Sequence, residues 1–379
     1  MAARSLFKII CIGDPHFKDN NKIETDLMLS QVRELIVREQ PDFVVILGDL
    51  LHRFEKLDMQ PLKRATEFLQ MIKAVSPHMF VIIGNHDRPN NNDFLTDNHA
   101  FAGLNEWSKT TVVDVVKTHS FVGRDGLNYK FVFVPYVHAG RLQEALATKD
   151  LKAPYADISV FFAHQEFKGA KMNAITSNEG DVWDRNWPLC VSGHIHDFDE
   201  LQLNLFYPGT PIQHGFADTK DKTISILHLD SLLPLHPHVE VKAEVKEKKQ
   251  EKDGVLKLVR HQRVSLKIPR KFVLNMSPEE LTKFVLPPDT HVKIKVNSSK
   301  AAFDEVMKFD NVIRLCNTPT VKIVHVDTTP FRSALISIPI AMPKTRLSYS
   351  QRLRTDINKQ DPETQQIFGH LFGILPMHM

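Results

Sequence analysis

The chain has 379 residues, 42% of them hydrophobic and 25% charged, which excludes general disorder and leaves room for a large core and more than one domain. Its 48 basic residues stand against 45 acidic ones, a formal charge of +3, so the whole-molecule field neither demands nor excludes a polyanionic partner. Any such partner must be read by local sites.

At the start, "MAARSLFKIICIG" has too short an apolar run for a signal peptide's core plus cleavage site, and no later run approaches a membrane span. A cytosolic protein is expected, or a nuclear one if its host has a nucleus. "LFKIICIG" (6–13) reads as a strand, then "ETDLMLSQVRELIVREQ" (24–40) as a helix with Met28, Val32, Leu35 and Ile36 on one face. "QPD" breaks that helix before a second strand, "DFVVILG" (42–48). A helix near 60–75 and strands at 79–83 and near 111–116, 130–135, 158–163, 188–192 and 223–229 continue the alternation, predicting an α/β domain with helices covering its sheets.

Residues 240–270 hold ten Lys/Arg and five Asp/Glu, a local net of +5, readable as a hairpin with a solvated tip or as a linker, with phosphate contact as the alternative role. In "NMSPEELTKFVL" (275–286), Ser277, Pro278 and Glu280 match a capping box with proline at the first helical position. "HVKIKV", a helix near 299–309 and "TVKIVHV" complete a small α+β unit. In the tail, Ile367, Phe368, Leu371, Phe372 and Leu375 form an apolar helical stripe over 361–375, suited to the protein's own core or to a partner. Cys11, Cys190 and Cys316 each sit alone in an apolar run, which suits buried thiols in a reducing compartment.

Five apolar runs end in polar knots. "KIICIGDPH" delivers Asp14 and His16, "FVVILGDLLH" delivers Asp49 and His52, "MFVIIGNHD" delivers Asn85, His86 and Asp87, "ISVFFAHQE" delivers His164, and "LCVSGHIHD" delivers His194 and His196. Ligands collect beyond the carboxyl ends of strands in α/β sheets, so the five ends can converge on one crevice. Asp, Asn and His are oxygen and imidazole donors, and seven of them suit two metal ions. Glycines at 13, 48, 84 and 193 precede ligands and permit sharp turns and close approach.

These motifs, "GDPH" (13–16), "GDLLH" (48–52), "GNHD" (84–87), "AHQE" (163–166) and "GHIH" (193–196), closely resemble those of the calcineurin-like metallophosphoesterase superfamily over about residues 5–230. The resemblance implies a four-layer α/β/β/α sandwich with a dinuclear site at one edge. By motif, one metal takes Asp14, His16, Asp49 and His196, and the second takes Asp49, Asn85, His164 and His194, with Asp49 bridging. Mn²⁺ is the expected ion, with Fe, Zn or Mg as substitutes. His86 then stabilises the transition-state charge or protonates the departing alkoxide. Asp87 and Asp197 are expected to orient imidazoles.

The branch most similar is the SbcD-type nuclease of double-strand-break repair, in versions found in phages and large DNA viruses. His52, "YPGTPIQHGF" (207–216) and a second α/β unit carry that comparison. It implies a nuclease domain over 1–262, a DNA-capping α+β domain over 263–330 and a tail over 331–379 that binds an SMC-like ATPase, with a homodimer inside a heterotetramer. It also implies a Mn²⁺-dependent 3′-to-5′ exonuclease and single-strand endonuclease, with His86 and His52 as catalytic residues and DNA ends and single strands as partners. Phe17, Tyr136, Trp183, Trp187 and Phe206 either stack bases near the cleft or pack in the core. A phosphatase of the same superfamily and a non-catalytic scaffold subunit are the competing readings.

Overall fold

The computed structural model describes residues 5–53, 56–172, 175–231 and 256–328, so the tail helix expected over 361–375 and most of the charged stretch before residue 256 lie outside the described residues. The chain begins with β1 (Phe7–Ile12), α1 (Lys22–Glu39), β2 (Phe43–Ile46), α2 (Met59–Val75), β3 (Met79–Ile82) and β4 (Thr110–Val113), four parallel strands with two crossover helices. A second set follows: β5 (Lys117–Val122), β6 (Asn128–Val134), α3 (Leu142–Ala147), β7 (Ile158–His164), the short pair β8 (Lys171–Met172) and β9 (Ile175–Thr176), then β10 (Leu189–Gly193), β11 (Asp199–Gln202) and β12 (Leu205–Tyr207). β13 (Ile224–Ser231) and β14 (Leu256–Val264) return to the first sheet as an antiparallel pair.

The result is two six-stranded sheets, ordered β14-β13-β1-β2-β3-β4 and β11-β12-β10-β7-β6-β5. Strand alternation builds the layers. Ile9 and Cys11 of β1 face the second sheet, with Phe43, Phe80, Phe131, Phe133 and Phe162, and the Phe80 and Phe133 rings stack across the seam with centroids 3.8 Å apart. Ile10 and Ile12 face the other way, onto Met28 and Val32 of α1 and Phe68 and Ile72 of α2. The outer face of the second sheet is covered by α3 and by loops carrying Tyr155 and Trp183. This is a mixed α/β sandwich of two large sheets flanked by helices.

A third sheet of parallel strands, β15 (Arg270–Met276), β16 (Thr290–Ser298) and β17 (Val321–Asp327), is covered by α4 (Pro278–Lys283), α5 (Lys300–Val306) and α6 (Asp310–Cys316). The capping box at α4 is present: Ser277 Oγ accepts from Glu280 N at 3.2 Å, and Glu280 Oε2 accepts from Ser277 N at 2.7 Å. The helix expected over 299–309 stops at Val306 and is followed by α6, a separate helix. Cys316 departs from the expectation of a buried thiol: Val312 and Leu315 fill the core face of α6, which leaves residue 316 exposed. Among the described residues, no helix is long and apolar enough to cross a membrane.

Candidate metal centre

The loops after β1, β2 and β3 bring Asp14, His16, Asp49 and Asn85 to one edge of the first sheet, and β7 and the loop after β10 bring His164, His194 and His196 from the second. Buried apolar strands fix where each polar loop begins. The loops are tightly wound, with Asp14 (φ 31°), His16 (φ 46°), Asp49 (φ 49°) and His194 (φ 87°) all left-handed. Strain of this kind persists only where the surroundings enforce it, and it clusters at functional sites. Gly48 is left-handed at φ 105°, and a Cβ there would collide with the His164 ring.

Asp14, His16 and Asp49 form one donor group and Asp49, His164 and His194 a second, with donor atoms inside each group within 4.8 Å of one another. Asp49 belongs to both. His196 joins the first group through its Nε2, 3.0 Å from His16 Nε2. Asn85 joins the second, its Oδ1 lying 3.1 Å from His164 Nε2 and 3.0 Å from His194 Nδ1. All seven candidate ligands therefore meet in one cluster.

Main-chain carbonyls aim the rings. A carbonyl oxygen only accepts, so His16 Nδ1–H donates to Leu51 O (3.0 Å), His164 Nδ1–H to Leu47 O (2.6 Å) and His86 Nδ1–H to His52 O (2.7 Å). The other nitrogen, Nε2, then points into the donor cluster, 3.0 Å from His196 Nε2 in His16, 3.1 Å from Asn85 Oδ1 in His164 and 4.0 Å from Asp49 Oδ2 in His86. Asp87 departs from the expectation that it orients an imidazole: its two oxygens accept from Leu51 N and Gly84 N, both at 3.0 Å, and so hold the two loops together. Asp197 departs too, accepting from Lys222 Nζ at 2.7 Å while the same ammonium donates to His196 O at 2.7 Å.

The donor set fits divalent cations. Asp14 Oδ2 is buried without a hydrogen-bond partner among the described residues, and His16, whose Nδ1 holds the proton, turns an Nε2 lone pair suited to an electrophile to within 3.0 Å of His196 Nε2. Without one, protons take its place. Burial raises Asp14 to about 8, helped by the neighbouring Asp49 charge, and raises Asp87 to about 7. Burial would also raise Asp49, but the charge and hydrogen bond of His164 hold it well below the usual carboxylate range. His164 itself, which burial alone would lower, stands at about 9 beside Asp49 and Asp14.

A family model for calcineurin-like phosphoesterases matches residues 7–198, the segment that carries every residue of this cluster. The chain belongs to the calcineurin-like phosphoesterase family. It is 44% identical over 219 residues to a protein named phosphoesterase 078R in Invertebrate iridescent virus 3, a match covering 58% of this chain and 61% of that one. It is 40% identical over 220 residues to one named phosphoesterase 244L in Invertebrate iridescent virus 6, covering 58% of this chain and 75% of that one. Among solved structures, a dimetal phosphatase from Danio rerio aligns over 59% of this chain and 93% of that one, with TM-score 0.37 and 13% identity. As its family membership implies, this chain has His and Asp groups suited to a dinuclear divalent site.

His52 and His86 stand side by side beyond the donor groups, rings nearly parallel at 10° and 6.2 Å apart, each edge-on to His16. His86 N donates to Asp49 Oδ1 at 2.9 Å, and its Nε2 lies 4.0 Å from Asp49 Oδ2. Burial, with Lys18 nearby, lowers His52 to about 4, so its ring is neutral at pH 7. Of the aromatics, Phe17, Trp183 and Phe206 are core residues and Trp187 packs against the core. Tyr136 alone faces the cluster, 5.7 Å from the His194 ring.

Two site residues escape sequence reasoning. His214 is buried beside His16 and His196, and its Nε2 donates to Asp14 O at 2.9 Å. Glu166 Oε2 lies 4.0 Å from His194 Nε2. "YPGTPIQHGF" contains His214 but offers no metal spacing that would single it out, and Glu166 is an ordinary residue of a strand-end loop.

Proposed function

We propose that this phosphoesterase is a Mn²⁺-dependent DNA nuclease, a 3′-to-5′ exonuclease and single-strand endonuclease acting in double-strand-break repair and recombination. The shape of the cleft carries this reading. Cavities of about 310 and about 280 Å³ share Leu51, Arg53 and Lys56, the first also lined by His52 and the second by His86. A phosphomonoester has one substituent to place, whereas a diester inside a strand continues in two directions. Lys18, Arg53 and Lys56 against Asp19 and Asp58 line the first, and Arg53, Lys56 and Arg88 against Asp87 the second, so cations outnumber carboxylates in both, which suits a polyanion.

Asp14, His16, Asp49 and His196 would hold one ion and Asp49, Asn85, His164 and His194 the other. When bound, such a pair supplies Lewis-acid polarisation of a phosphoryl oxygen and a lowered pKa for water. His86, with Nδ1–H committed to the His52 carbonyl, keeps Nε2 as the atom that delivers a proton to the departing sugar oxygen. His52 offers a neutral ring beside it for a phosphate oxygen. The small sheet is the proposed DNA-capping unit. The residues from 331 onward are the proposed docking segment for an SMC-like ATPase, in an assembly built on a homodimer.

With Mn²⁺, wild-type protein should release mononucleotides from the 3′ ends of duplex DNA. Asp49→Ala should abolish that release, and His86→Ala should slow it by about 100-fold. Intact duplex, together with rapid turnover of 4-nitrophenyl phosphate, would assign the site to a phosphatase instead.

A further inference from the structure

The cavity beside His86 has charged walls whose purpose the metal centre does not explain. Its volume is about 280 Å³, and its lining includes three side-chain cations, Arg53, Lys56 and Arg88, against one carboxylate, Asp87. That carboxylate is engaged, because both its oxygens accept main-chain N–H groups at 3.0 Å. Arg53 pairs with Asp58 at 3.3 Å, but its side chain is 64% exposed, so solvent competes for that contact.

Arg88 is the unusual member. It is only 2% exposed, yet its Nε has no hydrogen-bond partner among the described residues, and its Nη2 reaches Asn91 O only at 3.5 Å. A buried guanidinium carries five N–H donors, and leaving them unspent is costly. The plane of Tyr136 supports it, with the guanidinium carbon 5.0 Å from the ring centroid. The other neighbours of that ring are His194 at 5.7 Å and His164 at 6.1 Å. A single aromatic ring thus separates an underused buried cation from the metal-ligand cluster, and the cavity at that cation opens beside the residue placed to protonate the leaving group.

We propose that this cavity binds the phosphate adjoining the scissile one, on the leaving-group side of a nucleic-acid strand, with Arg88 and Arg53 as its donors. The anion satisfies the buried guanidinium and fixes the strand's register, so that the next phosphorus lies over the metal ligands. The proposal rests on the nuclease reading and narrows it: the enzyme recognises two consecutive phosphates rather than one isolated ester.

Two oligonucleotides of one sequence test it, differing only in whether the linkage on the leaving-group side of the scissile phosphate is an ordinary phosphate or a neutral methylphosphonate. Wild-type protein with Mn²⁺ should favour the charged neighbour by about tenfold or more in kcat/KM, the size expected for a charge-assisted hydrogen-bond pair. In Arg88→Gln that preference should fall to within about twofold, and Arg53→Gln, altered at an exposed side chain that carries no risk to folding, should fall in the same direction. Equal cleavage of the two strands by wild type, or a preference that survives in both variants, overturns the proposal while the nuclease reading stands. Failure to cleave either strand while 4-nitrophenyl phosphate is hydrolysed removes both.

Discussion

A methyl group at Gly84 would be driven into the Asp49 carboxylate, the one side chain shared by both donor groups. Gly84→Ala should therefore weaken metal binding by about 10- to 100-fold, the usual cost of disturbing a ligand's support. Metal titration followed by calorimetry reads this, and far-UV circular dichroism shows whether the fold survives. Gly103→Ala is the matched control, since a Cβ there meets nothing within 4 Å. At this scale the seven donors were legible because each follows an apolar run that could only be a buried strand. His214 was not, because its place beside His16 depends on how the loop after β12 folds back over β1. The partners of Asp87 and Asp197 were also illegible: a carboxylate beside histidines suggests an imidazole partner, but the donors that reach these two are main-chain amides, a lysine and a threonine hydroxyl.

At the scale of elements, the small sheet is tied to the loop that carries His214 by its first strand, β15. Lys271, buried at 8% exposure, donates from Nζ to Gln213 O at 2.9 Å and pairs with Glu24 of α1 at 2.9 Å, while Gln213 Oε1 accepts from Lys271 N at 2.8 Å. Removing one member strands a buried charge, so Lys271→Met should destabilise the protein by about 3 kcal/mol in urea unfolding. The double variant with Glu24→Gln should cost less than the sum of the two single changes, because it removes the orphaned charge as well. The capping box of α4 was readable from four consecutive residues since both of its bonds are local. β5 was not, because "KTHSFV" is largely polar and becomes a strand only by pairing with β6.

At the scale of the whole molecule, the ligands come from both sheets, from three loops of one and from a strand end and one loop of the other, so divalent ions would join the layers at one edge. Without ions, Asp14 at about 8, Asp87 at about 7 and His164 at about 9 all bind protons more tightly folded than unfolded. Groups raised in this way contribute stability that is lost as pH climbs toward their folded values. His194, lowered to about 3 by burial, acts in the opposite sense, as do His16, His52, His196 and His214, also lowered by burial; an unfolded histidine still binds protons to about one pH unit above its ordinary value, so this opposition ends at about pH 7.5. The melting temperature of EDTA-treated protein should therefore fall between about pH 7.5 and about pH 9, where Asp14 and His164 still release protons, and Mn²⁺ should raise it more at the upper pH, as scanning fluorimetry can measure. A metal-free melting temperature that is flat or rising over that interval would contradict this account. The carbonyls of Leu47, Leu51 and His52 that aim three imidazoles belong to the main chain, so replacing those side chains leaves the acceptors in place. Core packing limits residues 47 and 51 to apolar side chains of similar size, but within that limit their identity can change while the histidines keep the same heading: mutation can delete a ligand here, but the compass that points it is inherited with the fold.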